Sequence, residues 1–325
     1  MRHIIRSACV VLFMAAVAAP GFAGGSGEAG DGAQTIEQDS ETTRVVRDYA
    51  GRPVEVPATP SAVIGMTISD TAALVALGVA PIAANDRIVG QFIGTEEYLP
   101  EGFDPASLPT FGQSWEPDFE RIAALDPDLI IGNEFMDEML PTLSSIAPTV
   151  LVAWPDNGSW QDRFMAAAEA LGKLEEARAV EADFQEFIRQ LPSGLEGTTV
   201  AFARPGADGG FRVDSMPSAF PGSVAAQAGI DLLVPEGVPI DSGFAELSGE
   251  RLNVLQDADF IVVADFTVTG ASEEDGISQF NDNPLWRTLP AVQAGNVAQV
   301  SGLVYNGGNY FAARALLDAL ADLLR

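Results

Sequence analysis

The segment FERIAALDPDLIIG at residues 119–132 returns as GERLNVLQDADFIVV at residues 249–263. Each copy places a glutamate and an arginine at the head of a leucine-spaced helix and ends on an aspartate-led apolar strand. A helix that feeds a short, fully apolar strand belongs to a parallel sheet covered on both faces. A chain that spells this unit twice is predicted to fold as two similar α/β lobes. The length agrees, because 325 residues exceed what a single compact core usually organises.

The sequence around each copy carries the same alternation. PSAVIGMTISDTAALVALGVAPIAAND predicts a strand over 62–66, a helix over 69–77 closed by Gly78, and a strand over 79–84. Ser69 and Asp70 can cap that helix. Strands follow over 128–132 and 149–154. From Thr198 the pattern resumes with TTVAFA, a helix over 222–228 stopped by Gly229, IDLLV, the second copy, GNVAQV, and a closing helix over 309–324. LVALGV at 74–79 and AAQAGI at 225–230 then correspond as helix–glycine–strand joints.

Between the halves the period becomes helical. SWQDRFMAAAEALG and KLEEARAVEADFQEFIRQL are two helices broken at Gly172. The second has Ala177, Val180, Phe184, Phe187, Ile188 and Leu191 on one stripe and stops at Pro192. About 19 residues of helix span roughly 28 Å, enough to pass from one lobe to the other. The expected organisation is a signal peptide at 1–23, a flexible acidic, glycine-rich leader at 24–43, an N-terminal lobe at 44–158, a helical connector at 159–192 and a C-terminal lobe at 193–325.

The signal is read from Arg2 and Arg6 ahead of a short apolar run and the small-residue site GFA at 21–23. The run is too short to span a bilayer, which takes about 20 residues. Cleavage after Ala23 would leave 302 residues and, with two arginines gone, move the net charge from −29 to −31. It would also remove His3 and Cys9, the chain's one histidine and one cysteine. Zinc sites, histidine-ligated haem, cysteine nucleophiles, Ser-His-Asp triads and disulfides all need one of those side chains. Cys9 precedes the apolar run, the wrong place for a lipid-attachment cysteine, so the chain reads as a soluble export product. With Lys173 as the lone lysine, nucleic acid and anionic lipid surfaces are repelled.

Several strings are specific enough to carry a resemblance: ALVALGVAPIA, ERIAALDPDLIIG, FRVDSMPSAFPGSVAAQAGI, ERLNVLQDADFIVV and, above all, NPLWRTLPAVQAGNVAQV at 283–300. Together they span almost the whole mature chain. The sequence resembles the ABC-importer substrate-binding proteins that carry ferric siderophores, haem and cobalamin. The resemblance implies two α/β lobes with central, mostly parallel sheets, one long interdomain helix, and a ligand groove between lobes that move little. Many relatives carry a lipid-anchored cysteine that is missing here. The resemblance also implies one exposed glutamate per lobe facing arginine pockets on a dimeric permease, and the matching positions are Glu120 and Glu250. The residues alone offer another reading, because an acid in the first turn of a helix is favoured by the helix dipole.

Grooves in open α/β sheets form at strand ends. Those ends present Met66, Arg87, Trp115, Asn133, Trp154, Arg204, Arg212, Phe266 and Tyr305, with Trp160 and Tyr310 nearby. Core packing is the rival role for each aromatic, and a surface ion pair for Arg87 and Arg212. Arg204 leaves its strand into the glycine-rich FARPGADGG, which suits an anionic ligand. Without histidine or cysteine, a metal already wrapped in a chelator suits the inventory better than a bare ion. The expectation is a monomeric, non-enzymatic carrier, without resident metal or cofactor, that delivers a ferric siderophore to an ABC permease dimer. Haem or cobalamin carriage is the alternative, and a carboxylate-dependent secreted glycoside hydrolase the distant one.

Overall fold

The computed structural model describes residues 42–87, 90, 92, 94–153, 159–206, 209–241, 243–267 and 276–325. The signal, most of the leader and Trp154 lie outside the described residues. The first half runs through β1 (Thr43–Arg47), β2 (Pro53–Pro57), β3 (Val63–Gly65), α1 (Ile68–Ala76), β4 (Pro81–Ala83), β5 (Gly112–Gln113), β6 (Glu116–Pro117), α2 (Phe119–Ala124), β7 (Leu129–Asn133), α3 (Leu140–Ile146) and β8 (Thr149–Val152). Two helices follow, α4 (Trp160–Leu171) and α5 (Leu174–Arg189). The second half adds β9 (Thr199–Pro205), β10 (Phe211–Asp214), α6 (Phe220–Gln227), β11 (Asp231–Leu232), β12 (Ile240–Asp241), β13 (Phe244–Leu247), a 3-10 helix (Gly249–Leu255), β14 (Phe260–Asp265), α7 (Gly276–Asn281), α8 (Pro290–Ala294), β15 (Val297–Ser301), α9 (Gly302–Tyr305) and α10 (Tyr310–Asp322).

The halves share one strand order. Parallel pairing runs β4-β3-β7-β8 in the first and β11-β9-β14-β15 in the second. The repeated aspartates are ties within this plan. Asp128, leading β7, accepts the backbone N–H of Ser61 at 2.7 Å and of Ala62 at 3.0 Å, just ahead of β3. Asp259, leading β14, accepts the N–H of Thr199 at 2.8 Å, at the start of β9. The joints repeat as well. Gly78 and Gly229 have φ of 71° and 72°, a left-handed conformation that favours glycine. Val79 N–H then bonds Leu74 carbonyl at 2.9 Å, and Ile230 N–H bonds Ala225 carbonyl at 3.0 Å.

The structure adds detail to the expected plan at two points. The second sheet is mixed, because β10, β13 and β12 extend it beyond β9 in antiparallel pairing. The link from β9 to β10 is five residues long and glycine-rich, too short for a parallel crossover. The second copy of the repeat winds as a 3-10 helix, not an α-helix. Its apolar anchors still do what the first copy's do: Leu252 and Leu255 are buried, as Ile122 is.

Side chains alternate between two environments along each strand. Val63, Leu129, Ile131 and Val150 of the first sheet and Val200, Phe202, Val262 and Ala264 of the second enter one continuous core with α4, α5 and α10. Ile64, Ile130 and Leu151 face a separate core with Ile122 and Leu143. Ala201, Ala203, Ile261 and Val263 face another with Leu252, Leu255 and Trp286. At the centre of the shared core, Tyr310 meets Trp160, Phe164 and Phe184 edge to face at 4.7, 4.8 and 5.3 Å between ring centres. Trp160 and Tyr310 are therefore core residues rather than neighbours of the groove. The connector helix α5 has 16 residues, about 24 Å, and buries Ala177 and Phe184 fully.

Candidate ligand groove

The C-terminal ends of β3, β4, β7 and β15 converge on a cavity of about 520 Å³. That volume is in the range of small-molecule sites. Its floor is the N-terminus of α1. Thr67 caps this helix by accepting Asp70 N–H, and the Asp70 carboxylate accepts Thr67 N–H in return. Buried Arg163 of α4 reaches both, at 2.9 Å from Asp70 Oδ1 and 3.0 Å from Thr67 Oγ1. Ser69 Oγ donates to the carbonyl of Gly307 at 3.1 Å, and Asn309 Nδ2 donates to the same carbonyl at 2.8 Å. The floor is thus bonded to the segment between α9 and α10.

One wall is the hairpin of β5 and β6. Its two-residue turn, Ser114-Trp115, projects the tryptophan, which is 64% exposed. Ser114 Oγ bonds Met66 carbonyl at 2.7 Å and Asn85 Nδ2 at 3.1 Å, so the turn is fixed at its base. The guanidinium of Arg87 lies 5.2 Å from the Trp115 ring centre. Among the described residues no carboxylate forms an ion pair with Arg87. The opposite wall follows β7. Asn133 is buried, and its Oδ1 accepts Phe135 N–H at 3.1 Å, turning the chain so that Phe135, Met136 and Met139 face the cavity. The second half contributes Leu303 and Asn306.

Arg87, Trp115 and Asn133 are therefore brought together in the lining of one cavity. Met66 and Tyr305 are fully buried, which closes ligand contact to their side chains in this conformation: Met66 offers only its carbonyl, beneath the Trp115 turn. Phe266 is half-buried between Tyr305, at 6.5 Å between ring centres, and Gly302, where a Cβ would meet its ring at 2.3 Å. Arg204 and Arg212 lie outside the cavity lining, side by side on β9 and β10. Arg204 is 3.4 Å from Asp214, and Arg212 is 3.4 Å from Glu246. Burial raises the Asp214 carboxyl above its ordinary pKa, against the pull of Arg204, and raises the adjacent Tyr305 hydroxyl as well. Glu120 and Glu250 are exposed in the first turns of their helices.

Sequence reasoning missed Thr67, Ile68, Ser69, Phe135, Met136, Met139, Leu303 and Asn306. A findable signal was the exposed-type apolar run EFMDEM directly after a buried strand, since turns rarely carry apolar clusters without a use. TISD also spells the capping box, with Thr67 rather than Ser69 as its cap.

The model of the family described as periplasmic binding protein matches residues 66–301. A protein of Bacillus subtilis named "Probable siderophore-binding lipoprotein" is 31% identical over 297 residues, covering 87% of this chain and 88% of its own length. A Bacillus subtilis Fe(3+)-citrate-binding protein is 27% identical over 294 residues, covering 88% and 86%. The crystal structure of a petrobactin-binding protein of Bacillus subtilis superposes with a TM-score of 0.70 at 18% identity, covering 87% of this chain and 99% of that one.

Proposed function

The chain belongs to the periplasmic binding protein family, and on that premise we propose that it captures a ferric siderophore in the groove and delivers it to an ABC permease. A family of binding proteins leaves no ground for the glycoside hydrolase alternative. The observation that carries the ligand reading is Arg87, stacked on an exposed tryptophan and without an acid partner among the described residues of a chain of net charge −29. An uncompensated cation on an aromatic face suits an anionic chelate with an apolar flank.

In this reading Arg87, Trp115 and Asn133 contact the ligand from the first lobe, and Arg204 and Arg212 extend the site along the second. Glu120 and Glu250 dock one lobe each on the two permease subunits. The repeat supports this: fold accounts for its aspartates and apolar residues, whereas both glutamates point into solvent. Lobe limits at 44–158 and 193–325, a connector at 159–192, a cleaved signal and a monomeric carrier complete the proposal.

The test is titration of the purified mature chain with ferric siderophores, haem, cobalamin and free ferric salt, followed by tryptophan fluorescence. Saturable quenching by a ferric chelate, and none by the free salt, is the expected outcome. Stoichiometric tight binding of free iron, or binding of haem or cobalamin alone, would overturn the siderophore reading.

A further inference from the structure

The face of the second sheet that enters the shared core changes character along its strands. Val200 and Phe202 of β9 are buried in that core, and the next residue on the same face is Arg204. Its cross-strand partner on β10 is Arg212, followed on that face by Asp214. On β13, Glu246 and Phe244 stand opposite Arg212 and Asp214. Both guanidinium groups lie over the one ring of Phe244, at 4.9 Å for Arg204 and 4.6 Å for Arg212. Tyr305 adjoins Asp214, and its neighbours Leu303 and Asn306 line the groove.

Two polar atoms in this cluster are buried without a hydrogen-bond partner: Nε of Arg204 and Nε of Arg212. The acids do little to complete them, because each arginine reaches its carboxylate only at 3.4 Å, long for a charged hydrogen bond. Two like charges over one ring repel, so a cluster built only for stability would spend its donors on close acids. The two Nε donors are left unused instead, in a cluster that Tyr305 joins to the groove segment of Leu303 and Asn306.

We propose that Phe244 is a positioning residue for the ligand: its ring holds Arg204 and Arg212 side by side, so that the pair meets a ligand face carrying two or more anionic oxygens as one unit. This rests on the assignment of Arg204 and Arg212 to the ligand site made above. Phe244 fixes where the two forks of donors stand, and Asp214 and Glu246 balance their charge loosely enough to yield to a stronger anion.

The probes are an anionic ferric chelate, ferric tris-catecholate, and an uncharged one, a ferric tris-hydroxamate, each titrated into the purified full mature chain. In F244L, which keeps apolar bulk but loses the ring, affinity for the anionic chelate should fall by roughly tenfold, mainly through faster dissociation, with the uncharged chelate little affected. F244Y should restore the parent affinity, and in an R204Q/R212Q background F244L should have no further effect. F244M replaces F244L if that variant does not fold. Unchanged anion affinity in F244L beside a loss in R204Q/R212Q overturns the bracing role while leaving the arginines in the site. Equal losses for both chelates would make Phe244 an ordinary groove wall and overturn it too. A parent that binds only the uncharged chelate overturns this inference but leaves ferric chelate capture standing. A parent that binds neither removes both.

Discussion

Arg163 Nη2 lies 2.9 Å from Asp70 Oδ1, with both side chains almost fully buried beneath the groove floor. The bond links α4, in the connector, to the capping box of α1, so the floor and the connector act as one body. Removing one member of such a pair leaves a buried charge alone, and D70A should lower unfolding stability by about 3–5 kcal/mol. Chemical denaturation with unchanged m-value is the measurement. A loss below about 1 kcal/mol would place the pair among the weak surface bridges.

The repeated aspartates should play the same role with different weight. D128A and D259A each remove a carboxylate that accepts backbone N–H groups at a strand start, and each should cost about 1.5–3 kcal/mol. D128A should be the more damaging, since Asp128 holds two backbone N–H groups and the Ser61 hydroxyl, against one N–H for Asp259. Thermal midpoints of the two variants, compared at the same pH, check the order.

At the groove, W115A should weaken the cognate ferric chelate by roughly tenfold and remove part of the ligand-induced quench. Trp115 is largely exposed, so stability should stay within about 0.5 kcal/mol of the parent. R87A should lose affinity for anionic chelates in particular. Unaltered affinity in both variants would take this wall out of the site.

Docking and helix capping are separated by charge reversal. If Glu120 and Glu250 face the permease, E120R and E250R should leave chelate affinity unchanged and cut uptake in vesicles, the double variant most of all. If they only favour their helix N-termini, each reversal should cost up to about 1 kcal/mol of stability and leave uptake near normal.

Two acids should move stability in opposite directions with pH. Bonds from Tyr49 and Arg52 hold Asp137 below its ordinary pKa. Its contribution is present above the unfolded carboxylate value and lost as pH falls through the folded one, so D137N should flatten the acid limb of a midpoint-against-pH curve. Burial raises Asp214, so the folded state favours its protonated form. That contribution is present below the unfolded value and lost as pH rises through the folded one. D214N should therefore hold or raise the midpoint at neutral pH, and a fall there would contradict the sign.

The sequence alone determined the two-lobe plan, because its evidence is local and periodic. Apolar runs of four to six residues and glycines at helix ends act through neighbouring bonds, as Gly78 and Gly229 show. It also determined the chemical inventory, in which the one histidine, His3, and the one cysteine, Cys9, both stand among the first nine residues. Strand ends were legible too, and with them Arg87, Trp115 and Asn133. What the tertiary structure decided is which strand-end side chains reach the cavity and which lie beneath it. Met66 and Tyr305 read as groove residues, but an apolar strand end is indistinguishable from a lining residue until the element covering it is placed. Phe135, Met139, Leu303 and Asn306 come to one cavity from positions up to about 170 residues apart, through a shared core that fixes one lobe against the other. The antiparallel extension that stacks Arg204 and Arg212 on Phe244 is of the same kind. Cross-strand register depends on pairing between distant segments, and nothing in the local pattern of any one of them encodes it.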